Sequence, residues 1–399
     1  NDYYDSWITR GIPAFGDIVI TTEAPMGNVA LLTITEKFAL AQRAICIQLY
    51  VSEMSSFTHY ILRSPEFQKQ LTLNSTGTTV SGIKASTLKT LILPVPPLNE
   101  QKLIADKLDS LLSQVDSIKT RLDQIPQILK RFRQAVLSAA VSGKLTEEWR
   151  NLNGCSFPWV QHRIGNIVTH IEAGKSLKCI ETPPKSNEFG IVKISAVTWG
   201  VFDETESKTL PDKNNFLESR RILKGDFLIS RANTLELLGN PVIVHEINKN
   251  LMLSDKVLRL VMNDEQKAWV SIYLRSIIGR KEIESRSTGN QLSMRNIGQK
   301  ALLDIPLPKP SPKEQTEIVA RVEKLFAWAD NIEKQVNNAQ QRVNNLTQSI
   351  LAKAFRGELT EQWRKDHPEL ISGENSAAAL LEKIKTERAA QTKKSKKKA

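Results

Sequence analysis

The residues best suited to chemistry lie far apart in this sequence and form no recognisable catalytic set. The Gly-Lys-Ser segment at 174–176 resembles the end of a phosphate-binding loop, but Thr169 stands where that motif requires its first glycine. The Pro-Pro pairs at 96–97 and 183–184 do not fit the Asn/Asp-Pro-Pro-aromatic pattern of an amino-methylating enzyme. The three cysteines form no Cys-x-x-Cys pair, which disfavours a disulfide framework or a zinc site. We therefore expect no catalytic site, metal or cofactor in this chain.

Three predicted loops, at 174–178, 230–234 and 288–295, instead combine cations with Asn, Gln, Ser and Thr. Arg can read guanine and Asn or Gln can read adenine, whereas Lys, Ser and Thr more often hold phosphate. The net charge of +12 and the pI near 9.5 favour a polyanionic partner such as nucleic acid. For any one of these residues, a solvated surface position is the competing interpretation. The residues predicted to contact DNA are Lys175, Lys178, Lys193, Arg231, Asn233, Lys256, Gln291 and Arg295 in the second half of the chain, and Thr22, Thr78, Thr79 and Lys84 in the first.

The elements that must position these loops are short strands. Four segments, at 191–195, 227–230, 241–244 and 257–260, are β-type runs separated by polar turns. This pattern predicts a mixed α/β globule between the two strongly helical stretches of the chain.

An internal repeat dominates the organisation of the chain. Residues 100–150 align without a gap on residues 314–364, at a constant offset of 214. Upstream the match continues more weakly, so the scaffold is repeated while the loops differ. Matched pairs include Gly16 and Gly225, Arg43 and Lys256, Ser64 and Ser276, Gly77 and Gly289, Glu100 and Glu314, Gly143 and Gly357, and Arg150 and Arg364.

Both copies of the repeat carry apolar residues that step by four and three, the heptad pattern of a coiled coil. Each helix then needs a partner for one apolar stripe, and the simplest partner is the other copy; packing into an ordinary helical domain is the alternative. Gly143 and Gly357 are expected to end the helices, and Pro126 to kink or break the first. The predicted seam consists of Ile104, Leu108, Leu111, Val115, Ile118, Leu122, Ile318, Val322, Leu325, Ile332 and Val336.

Two variable α/β modules, each followed by a near-identical helix with Pro-x-Pro, Glu-Gln, a heptad and Gly-x-Leu-Thr, resemble the specificity subunit of Type I restriction-modification enzymes. The resemblance covers essentially the whole chain, and segments 124–136 and 344–359 are most similar to the enterobacterial branch. It implies a noncatalytic subunit in which each target-recognition domain reads half of a split, asymmetric DNA site, while the helices set the gap. It also implies two modification subunits that methylate adenine with S-adenosylmethionine, and two restriction subunits that use ATP and Mg.

The fold class that follows is mixed α/β, with two target-recognition domains separated by long helices that form an antiparallel coiled coil with a pseudo-twofold repeat. We expect the first domain to lack its N-terminal part, since its counterpart begins near residue 158. The predicted domains are residues 1–96 and 158–308 for target recognition, 97–150 and 309–364 for the helical spacers, 151–157 for a linker, and 365–399 for a C-terminal helix and basic tail.

Two other classes of function stay open from the sequence. One is a noncatalytic coiled-coil scaffold that binds DNA without regard to base sequence. The other is an enzyme with unfamiliar motifs. The sequence has neither a continuous apolar run long enough to span a bilayer nor a basic-then-apolar signal at its start, so we predict a soluble cytoplasmic protein.

Overall fold

A computed structural model describes residues 12–77, 80–291 and 294–398. The chain divides into two compact units. Unit 1 combines the described residues up to Gln124 with those from Gln335 onward, and unit 2 runs from Ile125 to Lys334. Among the described residues, no helix has the length and apolar character needed to cross a membrane.

The first recognition module belongs to unit 1 and contains one antiparallel sheet. Its central strand β1 pairs with β2 on one side and β3 on the other. Alternate residues of β1 point to opposite faces, so Ile18 and Ile20 are buried against Phe67 and Leu71 of the helices. The elements are strands β1 (Ile18–Thr21), β2 (Val29–Leu31) and β3 (Ala44–Ile47), and helices α1 (Ser55–Leu62), α2 (Pro65–Leu73) and α3 (Ala85–Leu88).

The first long helix, α4 (Leu98–Val141), contains 44 residues and would be about 66 Å long at 1.5 Å per residue. The helix continues through Pro126, so the break that this proline suggested is absent. Pro126 is exposed, and the carbonyl group that loses its amide partner there can bond to water. Gly143, in the left-handed conformation, follows the end of α4 as predicted, and the short helix α5 (Glu147–Leu152) comes next.

The second recognition module belongs to unit 2 and contains most of the strands. The predicted β-runs at 227–230, 241–244 and 257–260 become neighbours in a four-stranded sheet of order β10-β8-β12-β5. A second sheet has the order β11-β6-β7, and β13 and β14 form a hairpin that pairs with β9. The elements are β4 (Val160–Arg163), β5 (His170–Ala173), β6 (Phe189–Val192), β7 (Ser207–Thr209), β8 (Phe227–Ser230), β9 (Ala232–Asn233), β10 (Pro241–Ile243), β11 (Asn250–Met252), β12 (Val257–Val261), α6 (Asp264–Arg275), α7 (Ile277–Arg286), β13 (Thr288–Gln291), β14 (Met294–Asn296), α8 (Gln299–Leu303) and β15 (Pro306–Lys309).

The second long helix, α9 (Pro312–Phe355), also has 44 residues and is followed by α10 (Glu361–Asp366) and α11 (Ala377–Lys398). In unit 1 the first half of α4 packs against the second half of α9, with Leu108 and Leu351 in one core cluster. In unit 2 the second half of α4 packs against the first half of α9, with Val136 and Ile318 in another. The two helices are therefore antiparallel within each unit, as predicted.

The predicted seam is buried in most places but not at Ile118. Ile104, Leu108, Val115, Ile318, Val322 and Val336 are buried, and Leu111, Leu122, Leu325 and Ile332 are half-buried. The seam assignment was wrong for Ile118, whose side chain is 45% exposed, and Leu112 is buried although the heptad omitted it. Leu112 is buried because helix α1 packs on α4 through Phe57 and Tyr60 and widens the buried face there, whereas a contact between only two helices covers a narrow stripe.

The internal repeat is visible in the backbone as well as in the sequence. The sheet order β2-β1-β3 of the first module corresponds to β10-β8-β12 in the second. Helices α2 and α7 are both capped by a buried serine, Ser64 and Ser276 respectively. Three pairs of matched glycines adopt nearly the same left-handed φ: +87° and +89° at Gly16 and Gly225, +122° and +118° at Gly77 and Gly289, and +78° and +80° at Gly143 and Gly357.

Candidate nucleic-acid interface

Three of the lysines predicted to contact DNA line one cavity of about 510 Å³ in unit 2. Lys175 follows β5, Lys193 follows β6 and Lys256 precedes β12, so three strands that are distant in sequence bring these cations together. Lys208 of β7 joins them, although it was not predicted, and it forms an ion pair with Glu181 at 2.7 Å. Within the described part of the chain, Lys175 and Lys193 form no ion pair, so both ammonium groups are available to an anion.

Arg231 connects this cavity to the β13–β14 hairpin. Its backbone N–H donates to the carbonyl of Lys256 at 2.8 Å, and its own carbonyl accepts from the N–H of Ile297 at 3.0 Å. On the neighbouring strands Asn233 lies opposite Arg295 in the β9–β14 register. The structure therefore places six of the predicted residues in one region of the second module.

The side chains of Asn233 and Arg295 already have partners inside the module. The amide of Asn233 donates to Thr198 Oγ1 at 3.2 Å. The guanidinium of Arg295 donates to the carbonyl of Ser287 at 2.8 Å and also to the carbonyl of Gly289. These contacts hold β9 and the hairpin in place. Base contact by the two residues stays a prediction, and the structure gives them a positioning role.

Arg231 is exposed, as are Lys175, Lys178, Lys256 and Gln291 of the residues predicted to contact DNA in the second module. Among the described residues, none makes a side-chain hydrogen bond or ion pair with Arg231, which lies beside the lysine cavity. A guanidinium that keeps its donors free can bond bidentately to a base edge or a phosphate. Arg231 is therefore a predicted DNA contact that the second module leaves exposed, and its contact with a base stays a prediction.

A buried ion network fixes β5, which carries the loop of Lys175. Arg259 of β12 lies opposite Glu172 of β5 and bonds to its carboxylate, and Arg259 also reaches Asp226 at 2.8 Å. Burial would raise the pKa of Glu172, but hydrogen bonding to Arg259 outweighs it and lowers that pKa. Glu172 thus stays ionised, and the network ties the start of the cationic loop to the central sheet.

Comparison with known proteins identifies the family. The model of the Type I restriction modification DNA specificity domain matches residues 10–127. The EcoKI specificity subunit of Escherichia coli K12 is 45% identical over 343 residues, which cover 84% of this chain and 72% of that protein. The EcoBI specificity subunit of Escherichia coli is 37% identical over 412 residues, which cover 97% of this chain and 83% of that protein. This chain belongs to the Type I restriction enzyme specificity subunits.

Solved structures agree on the fold of this specificity subunit. A chain from a structural study of the assembly and conformational transition of a type I R-M system has a TM-score of 0.65 at 20% identity, and the match covers 88% of this chain and 84% of that chain. The HsdS subunit from Thermoanaerobacter tengcongensis has a TM-score of 0.54 at 19% identity, with 87% and 82% covered. Membership in this family assigns the chain a function in DNA sequence specificity. It does not favour a scaffold that binds DNA without regard to base sequence, nor an enzyme with unfamiliar motifs.

In the first module of the specificity subunit the same backbone frame carries different side chains. Thr22 occupies the position of Arg231: its N–H donates to the carbonyl of Arg43 at 2.8 Å, and its carbonyl accepts from the N–H of Ile83 at 3.0 Å. Lys84 is exposed next to Ile83, whereas Thr78 and Thr79 lie outside the described residues.

Arg43 therefore corresponds to Lys256 and is a candidate DNA contact that sequence reasoning did not include. The sequence did contain a signal for Arg43, because the internal repeat pairs segment 40–43 with segment 253–256, which contains Lys256. Arg43 is exposed and forms an ion pair with Glu23 at 3.1 Å. Such an exposed pair is weak and can exchange for a phosphate.

Proposed function

We propose that each module of this specificity subunit reads one half of a split, asymmetric DNA site. The observation that carries the proposal is the shared hydrogen-bond frame of Thr22 and Arg231. The two modules make the same pair of backbone hydrogen bonds at this position, but one carries a threonine there and the other an exposed arginine. The two modules can therefore offer different surfaces to two half-sites. Lysines around the second frame would hold phosphates and set the register of the module on the duplex.

The long helices would set the gap between the half-sites. Each is continuous over 44 residues, and a helix changes length only if residues are added or removed. Readers that bind two half-sites require a fixed separation between them, so the helix length becomes part of the specificity.

The helices would also dock two modification subunits, which would methylate adenine with S-adenosylmethionine. Exposed apolar side chains on the helices support this part of the proposal: Ile118 and Leu346 in unit 1, and Ile128 and Trp328 in unit 2. Exposed apolar side chains on a helix can be covered by another protein. Two restriction subunits that use ATP and Mg would complete the assembly, in the cytoplasm. This chain would contribute recognition and no chemistry.

The test maps methylated adenine across the genome of cells that carry the full-length gene and its modification partner. Residues 158–308 are exchanged for the corresponding module of a related specificity subunit. We expect a gapped two-part motif in which only one half changes. An unchanged motif, a change in both halves, or an ungapped motif would contradict the proposal.

A point variant tests which position of the half-site one residue reads. Arg231→Ala should relax the base preference at one position of the half that follows residues 158–308, because a bidentate contact contributes about 1–3 kcal/mol of discrimination. Lys213→Ala, an exposed cation of the same module outside the lysine cavity, is the control and should leave the motif unchanged.

A further inference from the structure

A loop of the second recognition module holds two apolar side chains in water. Trp199 is 75% exposed and Val201 is 72% exposed. Gly200 lies between them with a left-handed φ of +80°, which lets the chain turn sharply there. Tryptophan is highly buried on average in folded proteins. The apolar tip formed by residues 199–201 is therefore a candidate contact for another molecule.

The base of this loop is closed by a backbone hydrogen bond and by apolar packing. The N–H of Asp203 donates to the carbonyl of Ala196 at 3.0 Å. Val197 is buried in a core cluster of unit 2, and Phe202 packs against the same cluster. A loop that is held in this way loses little conformational freedom when its tip binds, so the tip is preorganised for contact.

Two asparagine side chains fix the residue next to the apolar tip. Thr198 is only 4% exposed. Its Oγ1 accepts from the amide of Asn233 at 3.2 Å, and its carbonyl accepts from the amide of Asn240 at 2.8 Å. Asn233 follows Arg231 by two residues, so the tip is tied to the strand that comes after the exposed arginine. By this route the α-carbons of Trp199 and Arg231 are at most about 20 Å apart, which is about six base-pair steps of DNA.

The other side of the loop leads to the lysine cavity. A turn of 3-10 helix, Ile194–Val197, precedes the apolar tip and begins directly after Lys193. Lys193 and Ser195 both line the lysine cavity. Four residues of 3-10 helix rise about 8 Å, so the tip follows closely on the cations that would hold phosphates. DNA that contacts both the lysine cavity and Arg231 would pass beside the tip.

The chemistry of the apolar tip limits what it can contact on DNA. Val201 has no donor or acceptor and Trp199 has a single N–H donor, so the tip does not suit phosphates or polar base edges. In the major groove the base edges present hydrogen-bond donors and acceptors, and thymine alone adds an apolar group, its C5 methyl. An indole ring and an isopropyl group match that methyl group, because contact removes apolar surface from water on both sides.

We propose that the apolar tip contacts the methyl group of a thymine in the half-site that residues 158–308 read. This inference rests on the proposed function, in which that module binds DNA. Arg231 bonds to a polar base edge, and Trp199 with Val201 contacts a thymine methyl within about six base pairs of it. The tip thereby makes the second module prefer thymine to cytosine at one position.

The experiment replaces each thymine of the mapped target duplex, one at a time, by deoxyuridine, which lacks only the methyl group. Binding is measured by titration of the complex of this chain with its modification partner. We expect one position at which the replacement weakens binding about fourfold, the effect of losing one buried methyl contact. Trp199→Ala should weaken binding to the unaltered duplex and reduce the difference between thymine and deoxyuridine to less than about twofold. Trp199→Phe should keep part of that difference, because it keeps an apolar ring.

Leu223→Ala is the matched control, at an apolar side chain that is 55% exposed in the same module. Leu223 precedes β8, whereas Arg231 follows that strand, so the two residues lie at opposite ends of it. The control should keep the full fourfold difference. The proposal would be overturned if no thymine of the half-site were sensitive in the unaltered complex, or if the sensitivity were undiminished in Trp199→Ala.

Two further measurements separate this inference from its rivals. Native mass spectrometry of the Trp199→Ala complex should show the modification partner still bound, and its loss would mean that the apolar tip binds protein instead of DNA. Methylation mapping with residues 158–308 exchanged tests the proposed function by itself. If the exchange changes one half of the motif while deoxyuridine has no effect, the proposed function stands and the thymine contact is wrong.

Discussion

The sites of Glu314 and Glu100, two buried carboxylates that the repeat places near the starts of the two long helices, are built from the same residue types, yet they differ in what covers them. In unit 2, Trp159 and Phe157 seal the carboxylate and the arginine, whereas in unit 1 the arginine of the same motif stays one-third exposed. The repeated block therefore specifies the hydrogen bonds around the buried carboxylate. Residues 157–159, which lie outside that block, cover the carboxylate in unit 2. The two sites should consequently respond differently to equivalent changes.

The largest difference should come from removing the cover. Trp159→Ala should destabilise unit 2 by about 3–5 kcal/mol, because it empties a buried ring site beside Trp269 and leaves Glu314 Oε2 without a donor. Trp199→Ala, at a side chain that is 75% exposed, is the matched control and should change stability by less than about 0.5 kcal/mol. Hydrogen exchange of the amides at 143–150 reports on this joint. Similar exchange in the two variants would show that the tryptophan does not seal the site.

A smaller difference should separate the two threonines. Thr146→Val should cost about 1.5–3 kcal/mol, because Thr146 is the nearest donor to Glu314 Oε1 and Arg150 Nε is 3.7 Å away. Thr360→Val should cost about 1 kcal/mol less, because Arg364 also donates to Glu100 Oε1. The measurement is hydrogen exchange at 143–150 and 357–364 in each variant. The reverse order would mean that the guanidinium does not compensate for the lost hydroxyl.

Unit 1 should also respond to pH at a position where unit 2 does not. Burial lowers the pKa of His59 to about 4, and the neighbouring Arg63 guanidinium adds to this while Asp109 opposes it. Between about pH 6.5 and pH 4 the His59 imidazole binds a proton in the unfolded chain but not in folded unit 1. The free energy of unfolding of unit 1 is therefore not reduced by His59 above pH 6.5, and it falls as the pH is lowered towards 4. Because His59 is partly exposed, we expect a loss of about 1–2 kcal/mol.

The control for His59 is provided by the repeat, which places Ser271 at the matching position of unit 2. His59→Ser should flatten the dependence of unit 1 stability on pH between 6.5 and 4, whatever its effect on stability at pH 7. The measurement is urea unfolding at several pH values, followed by exchange of amides in helix α1. An unaltered slope in the variant would assign the pH dependence to other groups.

The sequence predicted the repeated elements better than their contacts. The β-runs at 227–230, 241–244 and 257–260 and both long helices were visible, because local periodicity and a second copy reinforced each other. The burial of Leu112 was not, because it depends on helix α1, which is distant in the sequence. The engagement of Asn233 with Thr198, 35 residues away, likewise has no local signal. Candidate DNA contacts could therefore be proposed from residue type, but only the fold separates free side chains from those with internal partners.

The smallest effects should distinguish the two recognition modules through the matched cations Lys256 and Arg43. Each lies next to the shared backbone frame and forms an exposed ion pair, Lys256 with Asp255 at 2.9 Å and Arg43 with Glu23 at 3.1 Å. If each contacts one phosphate, Lys256→Ala and Arg43→Ala should each reduce the slope of log K against log salt by about 0.9, without relaxing base preference. The assay measures binding of the assembled complex to its target DNA from 50 to 200 mM salt.

Lys213→Ala serves again as the control and should leave the slope of log K against log salt unchanged. A reduced slope for Lys256→Ala alone would place a phosphate contact in the second module and none at Arg43 in the first. The equivalence of the two backbone frames would then not extend to DNA binding. Unchanged slopes for both variants would remove the two cations from the interface. Lys175 and Lys193, two cavity lysines that form no ion pair with any described residue, would then be the phosphate contacts to test next.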